Sequence, residues 1–166
     1  MRLRPLVADD AQAVAALNDA EVPRVSHLGV EGLRAHLPRC APALLAEDGD
    51  GRVAGFVLAV PPGTDYASVN YRWFEDRGTD HLYVDRVVVA DRARRQGVGA
   101  LLYAAVEEAA RADGRDEVTC EVNVRPRNDA SLAFHTARGY TEVGRQDTDG
   151  GDKTVALLAK PLAAGL

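Results

Sequence analysis

The chain has 166 residues, 46% hydrophobic and 27% charged, with a formal net charge of -5. That length and balance suit one soluble globular domain spanning residues 1–166, and the negative charge argues against general affinity for nucleic acid. No apolar run approaches the roughly 20 residues of a membrane span, and the opening MRLRPLVADD lacks a signal-peptide pattern, so a cytoplasmic location is expected.

Cys40 and Cys120 lie far apart and form no C-x-x-C pair, so neither a disulfide framework nor a metal site is expected. Lys153 and Lys160 are the only lysines, an arginine bias expected of a G+C-rich bacterial genome.

Met1 to Val7 reads as a first strand. Asp9 is placed to cap a helix running to about Ala20, with Gln12 as its reciprocal partner. A second helix is expected over Val30 to Leu37, before Pro38. Ala43–Glu47 and Arg52–Val60 read as strands joined by the turn Asp48-Gly49-Asp50-Gly51. Thr64 to Asp80 reads as a long loop holding Tyr66, Tyr71, Trp73 and Phe74. Two readings stand for it: a cover over the core edge, or a wall of a binding pocket with Asn70, Tyr71, Arg72 and Trp73 as contacts.

His81 to Val89 carries the apolar run Val84 and Val87–Val89 and reads as a buried strand, with Tyr83 and Asp85 sharing a face with Val87. A polar turn with Arg92, Arg94 and Arg95 follows, then Gly97-Val98-Gly99 and a helix. Val98, Leu101, Leu102, Ala105, Val106 and Ala109 fall on one side of that helix, and Asp113-Gly114 ends it. Glu117 to Val124 alternates, with Val118, Cys120, Val122 and Val124 on one face and Thr119, Glu121 and Asn123 on the other. Asn128 and Gly139 bracket a further helix, and Tyr140–Asp147 with Thr154–Ala159 form a last strand pair.

Strand, glycine turn and helix together make an anion site. The first helical turn has free N–H groups and the positive end of the helix dipole, and glycine lets a phosphate come close. A phosphate-bearing ligand is therefore expected near residues 95–100. Ala100-Leu101 stands where a P-loop needs Lys and Ser/Thr, and Leu102 where a Rossmann turn needs its third glycine, so both fit poorly.

Arg94-x-x-Gly97-x-Gly99 after a strand resembles motif A of the GNAT superfamily of N-acetyltransferases. Asn128-x-x-Ser131-x-x-Phe134-His135-x-x-x-Gly139-Tyr140, one strand downstream, resembles its motif B. The resemblance covers about residues 1–160. It implies an α/β (α+β) fold, a mixed and mainly antiparallel central sheet of about six to seven strands flanked by about four helices. It implies transfer of the acetyl group of acetyl-CoA to a primary amine of a small molecule or peptide, by direct attack in a ternary complex.

The resemblance assigns the acetyl-CoA contacts to Val87, Val88, Val89, Arg94, Arg95, Gln96, Gly97, Val98, Gly99, Ala100, Asn128, Ser131 and Phe134. Glu21, Ser26 and His27 fall in the segment that borders the acceptor in such folds. Many relatives carry a tyrosine acid at the position of His135, which makes His135 a candidate acid. Glu121, ahead of Asp85, is the candidate base, since a carboxylate on a buried strand needs a reason to be there. A non-catalytic acyl-CoA-binding module and a dinucleotide-binding oxidoreductase are the rival classes. No nucleic acid or membrane partner is expected, and a homodimer is left open.

Overall fold

A computed structural model describes residues 1–163. Seven strands form one mixed sheet: β1 (Arg2–Pro5), β2 (Ala43–Glu47), β3 (Val53–Val60), β4 (His81–Val89), β5 (Glu117–Arg125), β6 (Thr141–Thr148) and β7 (Lys153–Pro161). Their order is β1-β2-β3-β4-β5-β7-β6, and every neighbouring pair is antiparallel except β4 with β5.

Five α-helices pack on the sheet: α1 (Ala11–Asp19), α2 (Gly29–His36), α3 (Val69–Arg77), α4 (Val98–Ala112) and α5 (Asp129–Ala137). Helices α1, α2 and α3 cover one face through Val14, Leu33, Tyr71 and Phe74, while α4 and α5 cover the other through Leu102, Val106 and Phe134. No described helix is long and apolar enough to cross a membrane.

Three expectations need correction. The residue at the N-cap of α1 is Asp10 rather than Asp9, and its carboxylate makes no bond to the helix N–H groups: its Oδ2 accepts from the Val7 N–H at 2.8 Å, and Arg4 grips both its oxygens, tying it to β1. On α4 the buried stripe is Val98, Leu102, Tyr103, Val106, Glu107 and Ala110, and Leu101 is 37% exposed. The stripe turns this way because Arg138 and Lys160 both bond to Glu107, at 2.9 and 2.8 Å, so that its carboxylate enters the interior paired.

The third correction is α3, a nine-residue helix inside the stretch read as a loop. Ser68 caps it by accepting from the Tyr71 N–H at 3.3 Å, and Gly78 ends it at φ 81. Tyr71 and Phe74, spaced three apart, sink into a cluster with Val60, Tyr83, Val155 and Leu157. Trp73 lies against Gly144 of β6, where an added Cβ would stand 2.4 Å from its ring.

The Gly144→Ala variant should lose about 1–3 kcal/mol of stability by overpacking. Trp73 is the only tryptophan, so its emission reports the seating of α3 directly. Denaturant titration followed by that emission should show a lower midpoint; an unchanged midpoint would mean that the Trp73–Gly144 contact is slack.

Candidate active site

The cleft begins where β4 and β5 part. As a parallel pair they hold register only at His81–Glu117, Leu82–Val118 and Tyr83–Thr119. Just beyond, the β3–β4 register slips between Leu58 and Ala59, and Asp85 is left without an opposite residue on β3. The bulge bends β4 away and re-aims its side chains. Tyr83 then faces α3 while Val87 packs toward α4, so the expectation that they share a face fails. The gap between the strands opens into a cleft of about 950 Å³.

One half of this cleft suits an anionic, elongated ligand. The backbone of β4 from Val84 to Val89 has no strand partner on its β5 side, and Val87, Val88 and Val89 line the cleft. The turn beyond it takes left-handed conformations at Arg95 (φ 63) and Gly97 (φ 78). Leu101 N–H bonds to Gly97 O at 3.0 Å, which leaves the N–H groups of Val98, Gly99 and Ala100 as the unpaired start of α4. The cleft is lined there by Gly97, Val98, Gly99 and Ala100. A Cβ on Gly99 would touch Phe134 at 3.5 Å, an ordinary contact.

The arginines divide their work. Arg94 is held by Glu21 and Asp91, each at 3.1 Å, although its residue borders the cleft. Arg92 is bonded to Asp48 and to Val53 O. Arg95 forms no ion pair among the described residues and borders the cleft, whereas the Gln96 side chain turns back to Arg92 O. Asn128 caps α5 by accepting from the Ser131 N–H at 3.2 Å, and its remaining NH2 belongs to a cleft residue, as do Ser131 and Phe134.

The three candidate catalytic groups lie round the point where the strands part, and their environments differ. Asp85 receives the Tyr66 hydroxyl at 2.6 Å, the Arg86 Nε at 2.9 Å and the His36 Nε2 at 3.2 Å. Burial opposes its charge, but these three donors outweigh burial and hold it below the usual carboxylate range. Glu121 sits across the gap on β5, on the face that the strand's alternation predicts. Burial pushes it up to about 8, against the opposing pull of the Tyr83 hydroxyl at 2.6 Å; the Asp85 charge adds to the rise.

His135 is buried at 4% exposure. Its Nδ1 lies 2.7 Å from Ser131 O, which can only accept, so Nδ1 carries the proton. Its Nε2, 2.6 Å from the Tyr103 hydroxyl, is then the acceptor. Burial lowers its pKa and keeps the ring neutral. In this state the proton between the two rings belongs to Tyr103.

Among the acceptor candidates, Asn70, Glu21 and Ser26 line the cleft. Tyr71, Arg72 and Trp73 do not: Tyr71 is buried and bonded to Pro61 O, Arg72 faces solvent, and Trp73 is spent on Gly144. His27 points outward, 73% exposed. Sequence reasoning missed Tyr66, Tyr103, Arg86, Asn123 and Lys153, all cleft residues. The alternation of β5 could have supplied Asn123, two residues from Glu121 on the same face.

Residues 11–140 match the Acetyltransferase (GNAT) family. A curated aminoglycoside N(6')-acetyltransferase type 1 from Klebsiella aerogenes is 34% identical over 116 residues, 69% of this chain and 69% of that protein. The crystal structure of ribosomal-protein-alanine N-acetyltransferase from Brucella melitensis has a TM-score of 0.74 at 23% identity, with 98% of this chain and 100% of that one covered. A GNAT superfamily phosphinothricin acetyltransferase from Sinorhizobium meliloti, solved in complex with AcCoA, has a TM-score of 0.76 at 18% identity, covering 99% and 89%. Both structures have the same overall fold as this chain. The family match runs from the first helix to the threshold of β6 and takes in both walls of the cleft, so this chain is an acyltransferase that belongs to the acetyltransferase (GNAT) family.

Proposed function

We propose that the chain, acting as one catalytic domain, is an N-acetyltransferase that moves an acetyl group from acetyl-CoA to a primary amine of a small molecule or peptide, by direct attack in a ternary complex. The observation that carries this reading is Glu121, a carboxyl at the base of the cleft whose surroundings push it up to about 8. An amine acceptor is mostly protonated near neutral pH and must lose a proton before it attacks, and a base titrating in that range is matched to the task. Asp85 is saturated by its three donors and serves as a fixed negative charge beside the acceptor instead.

The N–H groups of Val98, Gly99 and Ala100 and the left-handed turn at Gly97 suit the diphosphate of acetyl-CoA. Backbone groups of Val87–Val89 suit the pantetheine and the thioester carbonyl, because strand separation has left them without partners. When bound, acetyl-CoA supplies the activated acyl group as a thioester. We assign the proton for the departing thiolate to the Tyr103–His135 pair, with the tyrosine hydroxyl as the group that carries it.

The curated relative is named for an aminoglycoside and the Brucella neighbour for a ribosomal-protein alanine, so an acceptor panel needs polyamines, aminoglycosides, amino acids and N-terminal peptides. CoA release with any of them supports the reading; acetyl-CoA binding without release from any amine would favour a non-catalytic role.

Two predictions concern the site. Replacing Gly97 by valine forces a β-branched residue to φ 78, and acetyl-CoA affinity should fall by about 5- to 150-fold, on the order of 1–3 kcal/mol. Calorimetric titration of the folded variant checks this; equal affinity would remove the turn from the donor site.

In wild-type protein kcat/KM should rise with pH through an inflection near 8 as Glu121 ionises. Glu121→Gln should lower the rate by about 10²–10⁴-fold near neutrality and erase that inflection. Stability moves the opposite way. The folded-state pKa is raised, so the stability of the protonated form is fully present below about 4.5 and is lost as pH rises through about 8. Glu121→Gln should therefore melt roughly 5 °C higher than wild type above that range, with the gap closing as pH falls. A pH-independent difference in Tm would show that Glu121 is not held protonated.

A further inference from the structure

Glu121 is approached from a third side, by an element the family motifs do not include. Helix α3 puts Asn70 in its first turn, at the cleft, above the sheet face on which Glu121 stands opposite Leu157 and Gln146 stands opposite Val155. Behind Asn70 stands Gln146 of the edge strand β6, whose Nε2 donates to Asn70 Oδ1 at 2.7 Å. We propose that Asn70 and Gln146 are positioning residues for Glu121, Gln146 turning the Asn70 carboxamide so that its NH2, and not its oxygen, faces the carboxyl. The inference rests on the reading of Glu121 as the base.

The argument is one of donor and acceptor ends. A carboxamide has one oxygen and one NH2. Gln146 takes the oxygen, and the NH2 is left for Glu121. A donor there favours the carboxylate over the neutral acid, and so works with the Tyr83 hydroxyl against burial. An oxygen turned to the same place would favour the neutral acid and silence the base.

The support behind the relay is rigid. Gly144 and Gln146 stand two residues apart on β6, and both meet α3: Gly144 receives the Trp73 ring and Gln146 receives Asn70. Ser68 caps α3, and Tyr71 and Phe74 anchor it from below. The position of the Asn70 amide is thus set by the packing of a whole helix on the sheet.

Other charged or titratable groups face Glu121. Tyr83, Asp85 and Arg86 approach from β4, Tyr66 from the connection before α3, and Cys120 and Tyr103 from the α4 side of β5. Substitution at Asn70 or Gln146 leaves all of these in place.

The test is a cycle of four proteins: wild type, Asn70→Ala, Gln146→Leu and the double variant. Two measurements are made on each, the titration of the Glu121 carboxyl by carbon-13 NMR in ligand-free protein, and the pH dependence of kcat/KM. Asn70→Ala should raise the Glu121 midpoint by roughly one pH unit, with kcat/KM near neutrality falling roughly tenfold and recovering at higher pH. Gln146→Leu should shift the midpoint in the same direction by less. The double variant should match Asn70→Ala alone, because both residues act through one amide.

Gln146→Glu sharpens the test. Its carboxylate would face Asn70 Oδ1, turn the amide round and raise the midpoint beyond that of Gln146→Leu. Trp73 emission confirms that α3 is seated in each variant. Unmoved midpoints in folded Gln146 variants, or additive shifts in the double variant, overturn the proposal. A midpoint that moves as stated while the pH–rate profile stays fixed supports the positioning of the carboxyl, and overturns instead the assignment of Glu121 as the base.

Discussion

The parting of β4 from β5 is the constraint on which the rest of the molecule depends. A strand inside a sheet has all its backbone groups paired, and a buried unpaired N–H or C=O costs about as much as a lost hydrogen bond. Here the seven-stranded sheet pairs its central parallel strands over three positions only. The unpaired lengths of both strands then face each other across the cleft. That state is stable because water or a ligand can reach it. The same opening brings an amide-lined wall, a helix N-terminus and the side chains of β5 to one place, which is what an acyl-transfer site needs.

The opening also decides the electrostatics. Asp85 and Glu121 face one space from opposite strands, yet they end in opposite states. Asp85 sits at a bulge where Tyr66, Arg86 and His36 converge, and stays charged. Glu121 lies on a regular strand whose β7 neighbours on that face, Val155 and Leu157, are apolar, and burial wins. Two like groups driven apart in this way suit separate roles, and the proposed function gives the fixed charge to Asp85 and the proton acceptor to Glu121.

Much of this was legible in the sequence because its patterns are local. The alternation of Glu117–Val124 placed Glu121 and Asn123 on the face they occupy, since a regular strand has period two. The glycine turn before α4 was legible because its left-handed conformation at Gly97 is one few other residues adopt. What escaped depends on contacts between distant segments. The bulge at Asp85 put Val87 on the opposite face from Tyr83, and a bulge has no fixed sequence mark. Helix α3 was hidden because Tyr71, Trp73 and Phe74 have strand-like propensities, although Ser68 and Gly78 are a readable pair of caps. Part of its stability comes from Gly144, 71 residues beyond Trp73, and from Val155 and Leu157 beneath it. The seat of His135 likewise depends on Tyr103 of another helix, which no motif spacing reveals.

A buried base opposes folding, and its size follows from the same shift that makes it useful. Moving a carboxyl from about 4.5 to about 8 corresponds to a few kcal/mol between its two protonation states, on the order of a third of a typical domain's net stability. That opposition is already largely expressed near neutrality, where folded Glu121 is mostly protonated but the same chain unfolded would ionise it. Strong donors all round would remove it, and would leave a second Asp85, charged and too weakly basic to take a proton from an ammonium. No donors would push the group beyond the range where it ionises at all. One hydroxyl from the rigid central strand, and in the proposed relay one amide from a helix packed on the edge strand, hold it between these limits. The tuning of the base is therefore inseparable from how α3 is seated, which ties a proton-transfer property at the cleft to the fit of Trp73 on a glycine of β6.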